Sequence, residues 1–488
     1  MTPTFPVAPG QLFINGKGQD ALSGETFEIL NPATEAVITR CAKGDARDVD
    51  LAVAAARKAF EEGPWASMSA TERGRFVHKI GELVLKHADE MAYLETIQTG
   101  KTISESRNIE IPMAADVFRY FAGWADKLHG ETIPVRGNHF CYSLREPLGV
   151  VAAIPPWNFP LLLSTWKIAP ALATGNVVIL KPASQTPLTA LRLAAICQEA
   201  GLPDGVFQVV TGPGGSVGMS LVRHAGVDKV AFTGETTTGQ TVMRECANTI
   251  KKLSLELGGK SPNVVLGDAD PEAAARGAQV GIFYNKGEVC AAGSRLLVEE
   301  SIHDRVMETL IGRTKKLVPG DPLDPKTRLG PVASKDQLAK VMEYVESGKK
   351  EGAKLVAGGA PAKVGGGKGY FVEPTIFDGV QPSMRIAREE IFGPVLSVIA
   401  FKDLDDAIRK ANETIYGLAS AVWTRDVKKA HYVAKRLKAG TVWVNTYNIY
   451  DPAASFGGYK MSGFGRELGM HALEQYTEVK TVWVDLNL

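Results

Sequence analysis

Residues 149–186 read GVVAAIPPWNFPLLLSTWKIAPALATGNVVILKPASQT. The run GVVAAI ends in a proline-bearing turn, a long apolar stretch of helical length follows, and a second run, NVVILK, ends in another proline. That is a strand, a helix and a strand. The texture returns downstream in VFQVV at 206–210 and KVAFTG at 229–234, each followed by a Gly- or Pro-bearing turn and a helical stretch. Strand and helix alternate, which predicts a parallel sheet in an α/β fold. A second alternating series runs through NVVLGD (263–268), SRLLVEE (294–300), GYFVEPTIF (369–377), VLSVIAF (395–401) and TVWVNT (441–446). Two α/β domains fit this better than one.

Upstream, Asp45 to Ala66 and Thr71 to Thr99 carry Ala, Leu and charged residues at helical spacing, and Gly100 is placed to cap the second stretch. The N-terminal region is therefore expected to be mostly helical. Two pieces stand outside the alternation: Glu131 to Glu146, with Pro134 and Gly137, reads as a hairpin, and EVKTVWVDL at 478–486 reads as a terminal strand. Exposed edges of this kind commonly pair with another chain. No internal repeat appears, and the one low-complexity tract is GGG at 365–367.

With 488 residues, the chain is longer than one hydrophobic core usually serves, so a cleft between domains is expected. Its hydrophobic share of 45% and charged share of 22% are those of an ordinary globular protein. The formal net charge is +1, without long runs of one sign, which argues against nucleic acid as a partner. Neither a signal peptide nor an apolar stretch long enough to span a bilayer is evident, so the protein is expected in the cytoplasm and away from membranes. Five widely spaced cysteines without a CxxC pair read as reduced thiols. None of the eight histidines has a metal-ligand spacing, so no metal site is expected.

The sharpest local feature is GEVCAAGSR at 287–295. A thiol at Cys290 among small residues and two glycines is open to close approach, and backbone N–H groups can stabilise its thiolate. Taken alone, a single cysteine in such a chain is more often a buried structural thiol. In LELGGK at 255–260, Glu256 lies between two leucines at the end of a β-like run. Apolar neighbours raise a carboxyl pKa toward neutrality, as a general base requires, although a salt-bridged strand-end Glu is an equal reading. In IPPWNFP at 154–160, three prolines immobilise the backbone around Asn158. Such an amide can hold an oxyanion with little reorganisation; a plain turn asparagine is as good a reading of the motif alone.

Cofactor signals follow the strand-turn-helix units. In KPASQTP at 181–187 a cation and hydroxyls stand where a strand ends, and in FTGETTTG at 232–239 a glycine opens a helix whose N-terminus can receive a phosphate. Gly212, Gly214 and Gly218 miss the GxGxxG spacing by one residue. Each signal is weak by itself.

Together these motifs resemble the aldehyde dehydrogenase superfamily, from FINGK at 13–17 to YTEVKTV at 476–482. PWNFP, LELGGKSPN, CAAGSR, EEIFGPV and FGGYKMSGFGRELG occur in the family's order and are jointly specific. The resemblance implies a Rossmann-like cofactor domain (1–128 and 150–258), a catalytic α/β domain (259–461), and an oligomerisation arm with a C-terminal strand (129–149 and 462–488). It also implies a homodimer or homotetramer. By position, Cys290 matches the family's nucleophile, Glu256 its general base, Asn158 the oxyanion donor beside the backbone N–H of Cys290, and Lys167 a residue near the active site. Lys181 and Glu390 match residues gripping the two riboses of NAD, and Phe392 the aromatic beside the nicotinamide. Ile154, Pro156, Trp157, Ser184, Gly214, Phe232, Gly234, Glu235 and Leu257 complete the implied cofactor contacts. Met113, Phe159, Trp166, Tyr450 and Phe456 fall where an aldehyde tunnel is lined, an apolar wall that favours an uncharged aldehyde. Asp451, beside Tyr450, can instead select a cationic aminoaldehyde.

Three positions depart from the family's pattern. Ser184 stands where NAD-preferring members often carry a glutamate that repels a 2′-phosphate, which leaves NADP use open. Glu235 replaces a common serine beside the pyrophosphate, and Glu288 a common glutamine two residues before the nucleophile. The nearest rival activity, CoA acylation, is argued against by Glu256, which such enzymes generally lack. Retention of Cys290, Glu256 and Asn158 together argues against a catalytically silent binding protein.

Overall fold

The computed structural model describes residues 3–487. Near the N-terminus β1 (Leu12–Ile14) and β2 (Lys17–Gln19) form a hairpin, and β3 (Thr26–Leu30) pairs with β4 (Val37–Ala42). The next pair, β5 (Thr132–Ile133) and β6 (His139–Pro147), is the expected hairpin. Then come β7 (Val150–Ile154), β8 (Val177–Leu180), β9 (Phe207–Val209), β10 (Lys229–Thr233) and β11 (Lys252–Glu256). The second series is β12 (Pro262–Val265), β13 (Arg295–Glu299), β14 (Lys354–Ala357), β15 (Thr375–Asp378), β16 (Val395–Phe401), β17 (Ala419–Trp423) and β18 (Thr441–Val444). Last are β19 (Gly463–Phe464) and β20 (Thr477–Asp485).

The first large sheet has the order β19-β11-β10-β7-β8-β9-β1-β2, and its five central strands are parallel. β7, β8, β9 and β10 are buried along their whole length, as strands covered by helices on both faces must be. From β7 the chain crosses to β8 on one side, while β10 lies on the other, with Ile154 opposite Phe232. Crossovers leaving in opposite directions open a crevice at the carboxyl ends of β7 and β10. The second sheet, β14-β15-β16-β13-β12-β17-β18, is parallel except for β14. Residues 257–261 alone carry the chain from β11 in the first sheet to β12 in the second.

Helices Ala46–Glu61, Ala70–Lys86 and Ala88–Thr99 account for the helical stretches, with capping boxes from Asp45 and Ser69 and a break at His87. Gly100, at φ 78°, is the left-handed C-cap. Residues 3–42 are a correction: they carry four strands, two of which extend the first sheet through Phe13 opposite Val209. Strands of three to six residues held by distant partners carry too little periodicity to be read locally. The segment after 461 serves two sheets: β19 pairs with β11, whereas β20 pairs along its length with β6. Among the described residues, no helix is long and apolar enough to cross a membrane.

Candidate active site

Two cavities meet at Cys290. One lies in the crevice at the carboxyl ends of the first sheet, the other among aromatic rings, and Cys290 and Leu163 belong to the walls of both.

The loop before Cys290 is strained. Helix Pro271–Phe283 ends in a tight turn in which Asn285, Lys286 and Gly287 have φ of 43°, 59° and 73°. Left-handed backbone costs a non-glycine residue roughly 1–2 kcal/mol, so the surroundings must hold it. They do: Glu105 accepts from the Asn285 N–H at 3.0 Å, and Asn285 Nδ2 donates to the carbonyls of Asn158 (3.1 Å) and Glu288 (3.2 Å). On the other side Tyr447 donates its hydroxyl to the Ala291 carbonyl at 2.9 Å. The Cys290 carbonyl passes so close to Gly259 that a Cβ there would lie 2.3 Å away, which accounts for the second glycine of LELGGK. Cys290 keeps part of its surface open to the cavities, yet burial pushes its thiol up to about 12. The negative charges of Glu390 and Glu256 act in the same direction, and the N–H groups of Ala291 and Cys290 act against them.

Glu256 ends β11 with its carboxylate buried in the crevice, and neither oxygen has a hydrogen-bond partner. Burial, then the charge of Glu467, raises its pKa well above the usual carboxylate range, while Lys167 and Arg466 oppose the shift. Asn158 follows β7 and is buried; its Nδ2 donates to the Glu288 carbonyl at 2.8 Å, and its Oδ1 is unpartnered. One bond therefore orients the amide and leaves a second N–H available. Lys167 is not on either cavity wall: its ammonium donates to Thr233 Oγ1 at 2.7 Å and pairs with Glu467.

Of the expected cofactor residues, Pro156, Trp157, Gly234, Glu235, Leu257, Glu390 and Phe392 share the crevice wall. Trp157 and Phe392 meet edge to face at 5.2 Å, with Phe392 itself at φ 60°. Glu390 accepts from the Gly259 N–H at 3.0 Å, and burial raises its carboxyl to about 7. Glu235 is exposed at the N-terminus of helix Thr236–Ala247, where its side chain makes no cap. Ile154 and Phe232 sit opposite one another at the strand ends, behind this wall. Lys181, just past β8, is buried without a counter-charge, and burial lowers its ammonium to about 8. Ser184 donates to the Gly212 carbonyl at 2.8 Å, and Gly214 is exposed at the start of a short turn.

The second cavity brings together Met113, Phe159, Trp166, Tyr450 and Phe456. Trp166 stands 5.5 Å from Phe456 and 6.3 Å from Tyr450, and Phe159 stacks on Tyr284 at 6.1 Å. Among the described residues, no charged side chain lines it. Asp451 does not join this group. It is exposed, its carboxylate accepts from the Ala453 N–H at 2.8 Å in a local turn, and it is not on the tunnel wall.

Several wall residues were not expected. Tyr284 and Tyr447 complete the aromatic cavity, and Thr233, Gln337 and Lys340 join the crevice. Glu467 could have been noticed as an acid inside the FGRELG motif; Gln337 and Lys340, on helix Lys335–Lys350, carry no local signal.

Residues 19–482 match the model of the aldehyde dehydrogenase family. Human mitochondrial aldehyde dehydrogenase is 48% identical over 476 residues, 97% of this chain and 92% of its own length. An aldehyde dehydrogenase from Bacillus cereus, solved as a complex with NAD+, superposes with a TM-score of 0.97 at 48% identity, covering 98% of this chain and 97% of its own. An indole-3-acetaldehyde dehydrogenase of P. syringae has a TM-score of 0.96 at 46% identity, covering 98% and 97%. The chain belongs to the aldehyde dehydrogenase family. Its reaction is the oxidation of an aldehyde to the carboxylic acid.

Proposed function

We propose that this enzyme oxidises an uncharged, apolar aldehyde with NAD, by way of a thioester on Cys290. The observation that carries the reading is the position of Cys290, on the wall shared by a doubly wound crevice and an aromatic tunnel.

The crevice fits a dinucleotide. Lys181 is a buried ammonium without a counter-charge, and the N-terminus of helix Thr236–Ala247 opens behind Gly234. Glu390 and the Trp157–Phe392 pair stand nearer the thiol, on the wall that also holds Cys290. In this reading Lys181, Ser184, Gly214 and Glu235 lie toward the adenosine and pyrophosphate half, and Glu390, Leu257 and Phe392 toward the nicotinamide half. NAD, when bound, supplies the hydride acceptor that turns the covalent adduct into a thioester.

The remaining chemistry belongs to side chains. The Cys290 thiolate attacks the aldehyde carbon, forming a hemithioacetal whose alkoxide is held by the free N–H of Asn158 and the backbone N–H of Cys290. Because burial holds the thiol proton tightly, a base must take it as the adduct forms, and Glu256 and Glu390 both carry raised pKa values suited to that. After oxidation, Glu256 takes a proton from water and the resulting hydroxide releases the acid. Lys167, paired with Glu467 and bonded to Thr233, tunes the electrostatics behind Glu256 rather than touching substrate.

The tunnel sets the substrate class. Its aromatic wall carries no carboxylate to pair a buried ammonium, and Asp451 is not part of it, so the cavity favours aliphatic or aromatic aldehydes over a cationic aminoaldehyde, whose charge would be desolvated against aromatic faces alone. An absorbance assay of NADH formation across a panel of aldehydes tests this. Arylalkyl and medium-chain aldehydes should have the highest kcat/KM, and preference for a cationic aminoaldehyde would contradict the reading. In the same assay, Ser184→Glu should weaken NADP by about tenfold or more and NAD far less, because a carboxylate would face the 2′-phosphate. Equal effects on the two cofactors would place Ser184 away from the ribose.

The assembly is read in the same way. Residues 1–128 and 150–258 form the cofactor domain, 259–461 the catalytic domain, and 129–149 with 462–488 an arm. β20 is an edge strand that exposes Val479 and Trp483 on one face and Val484 on the other, apolar surface suited to a second copy in a dimer or tetramer. Sedimentation at micromolar concentration should give a dimer or tetramer; a monomer would contradict this role for the arm.

A further inference from the structure

Lys286 and Glu288 lie just before the nucleophile, are 2% and 0% exposed, and line neither cavity. The Lys286 ammonium stands 3.0 Å from Glu288 Oε2 and donates to the Thr99 carbonyl at 3.1 Å. Glu288 Oε1 accepts from the Ala333 N–H at 2.9 Å. The main-chain carbonyl of the same Glu288 receives the bond that orients Asn158. One residue thus joins a buried ion pair to the amide that faces the reacting carbonyl. The pair also spans three separate parts of the chain: the end of helix Ala88–Thr99, the loop at Ala333 and the turn before Cys290.

We propose that the Lys286–Glu288 ion pair is a positioning clamp for the oxyanion site. It holds the left-handed turn at 285–287 so that the Glu288 carbonyl aims the Asn158 amide. Neither residue touches substrate. The proposal rests on the reading of Cys290 as nucleophile and Asn158 as oxyanion donor. The physical argument is the asymmetry of buried ion pairs. Removing one partner leaves a charge buried and unpaired, which the loop must move to hydrate, whereas neutralising both leaves no buried charge. Because the carbonyl is part of the loop that moves, the loss should fall on addition to the aldehyde and not on cofactor binding.

The test uses Glu288→Gln, Lys286→Met and the double variant, comparing kcat/KM for aldehyde, KM for NAD and the rate of Cys290 alkylation by iodoacetamide. Alkylation needs the thiol but no oxyanion donor. Each single variant should lower kcat/KM about tenfold or more, with KM for NAD and the alkylation rate changed less than about threefold, and the double should recover at least about fivefold over the worse single. Single variants within about twofold of wild type, or a double no better than the singles, would overturn the clamp. So would a loss that only tracks the folded fraction measured by circular dichroism. If neither single folds, the double decides: folded and within about tenfold of wild type supports the clamp, while a folded double as slow as Asn158→Ala, or one that does not fold, contradicts it. Failure of the underlying reading has a different signature, namely aldehyde oxidation that survives Cys290→Ala.

Discussion

Cys290→Ala should lower aldehyde oxidation by about four orders of magnitude or more while the affinity for NAD changes by less than about threefold. The thiol makes the covalent bond on which everything later depends, and no group of similar nucleophilicity shares its place. Cys41, Cys141, Cys197 and Cys246 are buried away from both cavities. Cofactor affinity can be followed through quenching of Trp157, which stands on the crevice wall opposite Phe392. Substantial turnover in this variant would remove Cys290 from the mechanism, whereas loss of NAD binding along with activity would show that the substitution damages the crevice instead.

The second large effect is expected of Glu256→Gln, which keeps the shape of the side chain and removes the base. Steady-state turnover should fall by about 100- to 10,000-fold, while a first rapid release of up to about one NADH per site remains. Burial and the neighbouring Glu467 hold the Glu256 proton well above the usual carboxylate range, and only the ionised form can accept a proton from water. In the wild type, kcat should therefore fall as pH drops through that raised value, and the variant should lack this limb. Stability moves in a related way. A carboxyl whose folded pKa is raised contributes its stability fully below its unfolded value of 4.5 and loses it as pH rises through the folded value. At neutral pH the substitution should thus leave Tm unchanged or higher. A burst-free variant with slow NADH formation would move Glu256 to a step before hydride transfer.

How much of this was legible without coordinates depends on the range of the contacts involved. The strands that build the two large sheets are mostly apolar runs bounded by turns and legible as such; β17, ASAVW, is not, because small residues dilute its β signal, and neither is the four-residue edge strand β14, KLVA. Cys290, Glu256 and Asn158 stood out because each sits in a stretch whose backbone is constrained by Gly or Pro. What could not be read is what comes together only through folding. The N-terminal strands depend on β9 and on each other. Tyr447 reaches the Ala291 carbonyl from 156 positions away, and Glu467 meets Lys167 across 300. Asp451 is adjacent to a tunnel residue in sequence, but its carboxylate closes a local turn and is not on the tunnel wall.

The most direct test of the account is a mass measurement on the peptide that carries Cys290. Glu256→Gln enzyme is mixed with a good aldehyde and saturating NAD, quenched in acid after the burst and digested. The Cys290 peptide should gain the mass of the acyl group, with an occupancy matching the NADH released and with release of that group by hydroxylamine, as a thioester requires. An unmodified Cys290 peptide after a full burst, or an acyl group on any other residue, would contradict the central claim that oxidation passes through a thioester on Cys290.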